Sequence, residues 1–164
     1  MQKFFGASLF VIATLFSATK DGLGCCKKQI NIMEQEVLTK EELTAHTWID
    51  KEIRAVYGGD IVYYLRGGTE NTLNYDREYF TFNSDGSGWS IDANGYSHKI
   101  KEWKFADVTH TKLVFKYYVT NSTIYHDFTW DHIEYKNKTI ISEDYLHDNY
   151  VDKNYHGRAE RFAK

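Results

Sequence analysis

The sequence predicts an all-β fold, an antiparallel up-and-down meander that closes into a barrel of eight strands or nine. Three observations carry this. Residues Phe80 to Tyr96 read FTFNSDGSGWSIDANGY, two Asp/Asn-Gly turn signals around one short aromatic strand. Strand-like runs recur roughly every ten to fourteen residues between turn-forming residues, the spacing of a sandwich or barrel. The connections are too short for crossover helices, so consecutive strands should pair and the sheet should close to remove its edges.

Taken in order, Thr39-Lys40-Glu41-Glu42 matches a capping box and predicts a short helix leading into Leu43. Strands are expected at Trp48–Val56, Ile61–Arg66, Glu78–Asn83, Gly88–Ala93, Ser97–Phe105, Lys112–Thr120, Thr123–Tyr135, Thr139–Leu146 and Tyr155–Phe162. Gly58-Gly59-Asp60, Gly67-Gly68, Asn121-Ser122 and Lys136-Asn137-Lys138 supply the other turns. Two-residue loops at Asp85-Gly86 and Asn94-Gly95 would set Phe82 opposite Trp89 and Phe80 opposite Ile91, then Trp89 opposite Ile100 and Ile91 opposite His98. The expected rows are therefore Phe82-Trp89-Ile100 and Phe80-Ile91-His98, on one face. Trp103 and Phe105 fall out of step with Ile100, which predicts a bulge near Lys101 or Glu102.

The chain has 164 residues, a formal net charge of −3, thirteen Tyr and ten Phe, no proline, and basic residues dispersed among acidic ones. Aromatic side chains suit a pleated, half-buried surface, and the dispersed charge gives no footprint for a nucleic acid. Met1-Gln2-Lys3 is followed by an apolar run from Phe4 to Phe16, shorter than the ~20 residues a spanning helix needs, and it reads as a secretory signal. The expected organisation is a signal peptide over 1–24, a tether with a short helix over 25–42 and a barrel domain over 43–164. Cys25 and Cys26 are the only cysteines. Lipid attachment at Cys25 would anchor the chain to a membrane; cleavage nearby with two exposed thiols and an intermolecular disulfide are the other readings.

An export signal, a short leader, Leu43 followed by Trp48, the YFTFNSDGSGW hairpin at Tyr79 to Trp89, Trp103-Lys104-Phe105 and a strand carrying Leu113 together resemble the lipocalin-like domains common in exported proteins of Bacteroidetes. The resemblance implies an eight-stranded barrel with a cavity open at one end, located in the periplasm or on the outer-membrane surface. A barrel of that size either fills its interior with side chains or holds one small ligand.

Trp89, Trp103, Trp130 and Tyr117 are candidates to line a pocket for a small apolar or aromatic molecule, with Phe82 and His98 on the same rows. The expected function is binding without catalysis. A filled barrel acting through its surface on a protein partner, as an interaction or inhibitory module of the envelope, is the alternative. A third reading makes His98 an acid-base group of an isomerase, lyase or hydrolase. No G-x-S-x-G elbow or phosphate-cradling loop is present. His126 and His132, expected on one strand face, would stand about 20 Å apart, so neither a metal nor another cofactor is expected. Ser142-Glu143-Asp144 and Lys99-Ile100-Lys101-Glu102 place charge on both faces of their strands, which argues against a barrel facing lipid.

Overall fold

The computed structural model describes residues 36–118, 124–149 and 151–164; the expected signal peptide, Cys25 and the Asn121-Ser122 turn lie outside the described residues. The described elements are α1 (Lys40–Ala45), β1 (Thr47–Tyr57), β2 (Asp60–Leu65), β3 (Tyr79–Phe82), β4 (Gly88–Ile91), β5 (Ser97–Phe105), β6 (Leu113–Tyr118), β7 (Tyr125–Lys136), β8 (Thr139–Asp148) and β9 (Lys153–Ala163). From β3 to β9 each strand pairs antiparallel with the next, and β1 pairs with both β3 and β9. The result is a closed eight-stranded barrel with β2 as an extra strand.

β1 serves two neighbours along one edge. Its first residues, Thr47 to Ile49, face Thr81 to Tyr79 of β3, while Glu52 to Tyr57 face β2. The hairpin at Gly58-Gly59 thus folds β2 into the wall where the short β3 stops. The outer edge of β2 is not left open: Asn71 and Thr72 bond the Leu65 and Tyr63 backbones at 2.8 to 3.2 Å. Val62 and Tyr64 of β2 pack inward with Ile53, Ala55 and Ala159 as a second apolar cluster.

Inward residues alternate along each strand, and three bulges reset the alternation. The register shifts between Asp50 and Glu52 in β1, between Ile100 and Glu102 in β5, and between Asp131 and Glu134 in β7. The β5 bulge is the one expected from sequence, and it returns Trp103 and Phe105 to the interior. The β7 bulge, centred on His132 at φ 50°, corrects an expectation: His126 is buried in the lumen and His132 is turned out into solvent, so they do not share a face.

Both hairpin registers also need correction. Asn83 pairs with Ser87, and Asp92 with Tyr96, through N–H to carbonyl bonds of 2.8 and 3.0 Å. Each loop therefore has three residues and ends on a glycine with positive φ, Gly86 at 89° and Gly95 at 87°, where a side chain would be strained. Asp85 and Asp92 stabilise the turns by accepting N–H bonds from Ser87, and from Asn94 and Tyr96, each at 2.9 Å. The true rows are Phe82-Gly88-Ile100 and Phe80-Ser90-His98. Two slips of one residue cancel across the outer strands, so only β4 changes face: Trp89 and Ile91 pair with Thr81 and Tyr79 instead, and Trp89 points outward, 49% exposed.

One end of the barrel is shut. Thr39 caps α1, its Oγ1 accepting from the Glu42 N–H at 3.2 Å. Trp48 Nε1 donates to the Leu43 carbonyl at 2.9 Å and the Tyr135 hydroxyl to Glu42 at 2.9 Å. Leu38 and Leu43 are fully buried against Trp48, Trp103, Leu113, Trp130 and Ile140. Residues 36–42, expected to belong to the tether, are thus part of the barrel's closed end.

Closure between β1 and β9 depends on Gly157, opposite Ala55. A Cβ there would lie 2.2 Å from the Ala55 Cβ and 2.5 Å from the Arg54 carbonyl oxygen, so the strands must separate to admit one. Gly157→Ala is expected to lower the unfolding free energy by about 1–3 kcal/mol, measured by urea denaturation; no change would contradict so close an approach.

Candidate ligand-binding cavity

Away from the helical cap the lumen opens into a cavity of about 360 Å³. Ile53, Phe80, Tyr117, Phe128, Leu146 and Tyr155 form its apolar walls, and Leu73 and Tyr75, from the segment after β2, contribute where β3 is missing. The cavity and the packed core meet at a cluster of ionised side chains.

Arg161 of β9 is the centre of that cluster, 1% exposed. Its Nη1 donates to Ser142 Oγ at 3.0 Å and to Asp144 Oδ1 at 3.3 Å, and its Nη2 bonds Asp144 Oδ2. Nε lies 2.9 Å from Asp50 Oδ1, close enough for an ion pair but misaligned for a hydrogen bond, and Asp50 Oδ2 has no hydrogen-bond partner. The guanidinium also stacks over Trp130, 4.1 Å from the ring centroid, with Phe80 at 5.4 Å. Burial would lower its affinity for a proton, but Asp144 and Asp50 outweigh that and raise it.

The carboxylates respond the other way. Burial pushes Asp50 up to about 6 against the pull of Arg161, with Asp144 adding repulsion. Asp144 is also raised by burial, which outweighs its bonds to Arg161 and Ser142. Glu78 is raised well above the usual carboxylate range by burial and by Asp50. It stands one step beyond the last β1–β3 pair, Ile49 opposite Tyr79, where the two strands part and Asp50 sits on the other branch. Glu78 is half-buried and lines the cavity.

Two histidine-aspartate pairs stand nearer the mouth. His98 Nε2 is 3.0 Å from Asp92 Oδ2, and its Nδ1 is 3.0 Å from the Tyr118 carbonyl. His126 Nδ1 is 3.3 Å from the His147 carbonyl and its Nε2 3.8 Å from Asp148. Tyr57 donates to Asp148 at 2.9 Å, and burial with that bond pushes its hydroxyl up to about 12. Burial likewise raises Tyr75, Tyr117 and Tyr155; these phenols remain neutral near pH 7.

Ser90 opposes His98 across the β4–β5 pair, so serine, histidine and aspartate meet in one place. The geometry is not that of a hydrolytic triad, in which one ring nitrogen faces the aspartate and the other the serine. Here the second nitrogen faces a backbone carbonyl.

Comparison with protein-family models, curated proteins and solved structures gives no match. The cavity's chemistry therefore stands on its own geometry. Of the residues singled out from sequence, His98 and Tyr117 line the cavity; Phe82, Trp103 and Trp130 pack in the closed half, and Trp89 lies on the outer surface. Trp103 Nε1 is held there by the Asn83 and Ser87 carbonyls at 2.9 and 3.0 Å. The rings that face open space are Tyr and Phe, not Trp. Sequence reading missed Asp50, Glu78, Asp144 and Arg161. The available signal was parity: Asp50 lies two residues after Trp48 on the same face, and Asp144 is the inward member of Ser142-Glu143-Asp144 after allowance for Ser142 on the same side.

Because the folded value for Asp50, about 6, lies above its ordinary 3.8, the folded chain holds a proton there that the unfolded chain releases. That contribution to stability is complete below pH 3.8 and is lost as pH rises through about 6. Asp50→Asn should lack this loss. Between pH 4 and pH 8 the stability of the variant relative to wild type is expected to rise by up to about 3 kcal/mol, read from chemical denaturation at both pH values; a constant difference would contradict the shift.

Proposed function

We propose that this chain is an exported, lipid-anchored, lipocalin-like barrel that binds a small, largely apolar or aromatic molecule in the open half of its lumen without transforming it. The observation that carries the reading is the aromatic-walled cavity of about 360 Å³ at one end of an otherwise packed barrel. That volume falls at the lower end of the range typical of small-molecule sites. Neutral tyrosines on the walls can orient a bound molecule by hydrogen bonds while their rings pack against it.

The open lumen favours binding over the reading of a filled barrel that works only through its surface. The occupied nitrogens of His98 favour binding over acid-base catalysis, since a general base needs a nitrogen directed at substrate. Export, and attachment to the membrane through Cys25, rest on the composition of the first residues.

Native mass spectrometry of protein purified from its own host is expected to show a small molecule retained by the folded barrel. Leu146→Trp, which adds a ring into the cavity opposite Phe128, should abolish retention while circular dichroism and melting stay close to wild type. Wild-type protein that carries no ligand and binds no member of an aromatic and lipid panel below about 1 mM would overturn the proposal.

A further inference from the structure

The ligand's charge can be argued from the balance of groups around the cavity, taking the binding reading above as its basis. Four carboxylates line it, Glu78, Asp92, Asp144 and Asp148, and Asp50 lies directly behind. The cationic group on the same lining is Arg161, and the imidazoles of His98 and His126 share that lining. Each is already engaged. Both terminal nitrogens of Arg161 bond Asp144 and Ser142 and its Nε is ion-paired with Asp50, His98 faces Asp92 and His126 faces Asp148. An anionic ligand would meet no unengaged positive charge among these groups and a surplus of negative ones.

Glu78 is the exception among the acids. Asp144 is held by Arg161 and Ser142, Asp50 is paired with Arg161, Asp92 faces His98, and Asp148 accepts from Tyr57. No hydrogen bond from the described residues reaches the Glu78 carboxyl, and the residue is half-buried on the cavity lining. A half-buried carboxyl on the cavity wall with no protein donor is open to a donor supplied by a bound molecule, and a charge-assisted bond there is stronger than a neutral one. The charged and titratable groups around it are Asp50 from β1, Tyr117 from β6, Asp144 from β8, Arg161 from β9, Asp92 after β4, and Tyr75 before β3. Apart from Arg161, which is already paired with Asp144 and Asp50, none supplies a positive charge.

We infer that the cavity selects a small organic amine, with an apolar or aromatic body against Phe80, Phe128 and Tyr155 and a protonated nitrogen on Glu78. The ammonium supplies both the donor the carboxyl lacks and the charge that the acidic lining favours. A free carboxylic acid, a fatty acid included, is rejected by the same groups.

Three probes of one shape separate this from the binding reading itself: 2-phenylethylamine, 2-phenylethanol and phenylacetate, titrated calorimetrically into the folded protein at pH 7.5. The amine is expected to bind at least tenfold more tightly than the alcohol, with phenylacetate weakest. Glu78→Gln should remove the amine's advantage and leave the affinity for the alcohol within about twofold, which also reports that the variant is folded. If the alcohol or phenylacetate binds as tightly as the amine, or if Glu78→Gln keeps the preference, the inference is overturned while cavity binding stands. If none of the three binds to wild type, both readings fall.

Discussion

A single guanidinium buried in the lumen sets the terms for the rest of this barrel. Arg161 cannot be left in an apolar interior without compensation, since an isolated buried charge costs several kcal/mol even after relaxation. Asp144, Ser142 and Asp50 provide that compensation, and Trp130 offers an aromatic face. These partners come from β1, β7 and β8, so the cluster fixes how the strands on either side of the closing seam face one another. It also overshoots: two fully buried carboxylates answer one cation, and the half-buried Glu78 adds a third acid nearby. Burial raises all three carboxyls, repulsion between carboxylates adds to the shift at Asp50 and Glu78, and Glu78 is left without a protein donor.

The cluster also divides the lumen. On one side Trp48, Phe82, Trp103, Leu113, Trp130 and Ile140 interdigitate beneath α1, and edge-to-face contacts such as Phe82 with Trp130 at 5.5 Å leave no space for a guest. On the other side the wall is built from smaller or more polar side chains, and it is patched by β2 and the segment that follows. Arg66 ties that patch down, its Nε donating to the Asp50 carbonyl at 2.8 Å and its Nη1 to the Asp76 carbonyl at 3.0 Å. The fork where β1 leaves β3 is thus the place where the barrel gains its cavity, its extra strand and its unpartnered acid together.

Much of the fold was legible in the sequence because turns and alternation are local. All nine strands, the capped helix and the β5 bulge follow from residues close together in the chain. The hairpin register failed for a local reason too: Asn83 and Asp92 each precede a glycine by three residues, the pattern of a type I turn ending in a left-handed glycine, and that pattern outweighs the two-residue reading of Asp85-Gly86 and Asn94-Gly95. The consequence was confined to β4, where Trp89 moved to the outside and Gly88 took its row, while Ser90 took the place of Ile91 beside His98. The site was less legible. Tyr117 and His98 could be placed by alternation, but the ion cluster joins residues from distant strands, and although alternation turns Asp50, Asp144 and Arg161 inward, nothing local to β1, β8 or β9 shows that they meet. Tryptophan proved a poor marker of the cavity because its bulk fills the closed end.

The most direct test of this account is a carbon-13 carboxyl NMR titration of the folded protein with Asp50 and Glu78 assigned. Asp50 is expected to titrate near pH 6 and Glu78 to keep its proton well above the usual carboxylate range. Both groups titrating near pH 4, as free side chains do, would contradict a buried ion cluster with an unpartnered acid at the base of the cavity.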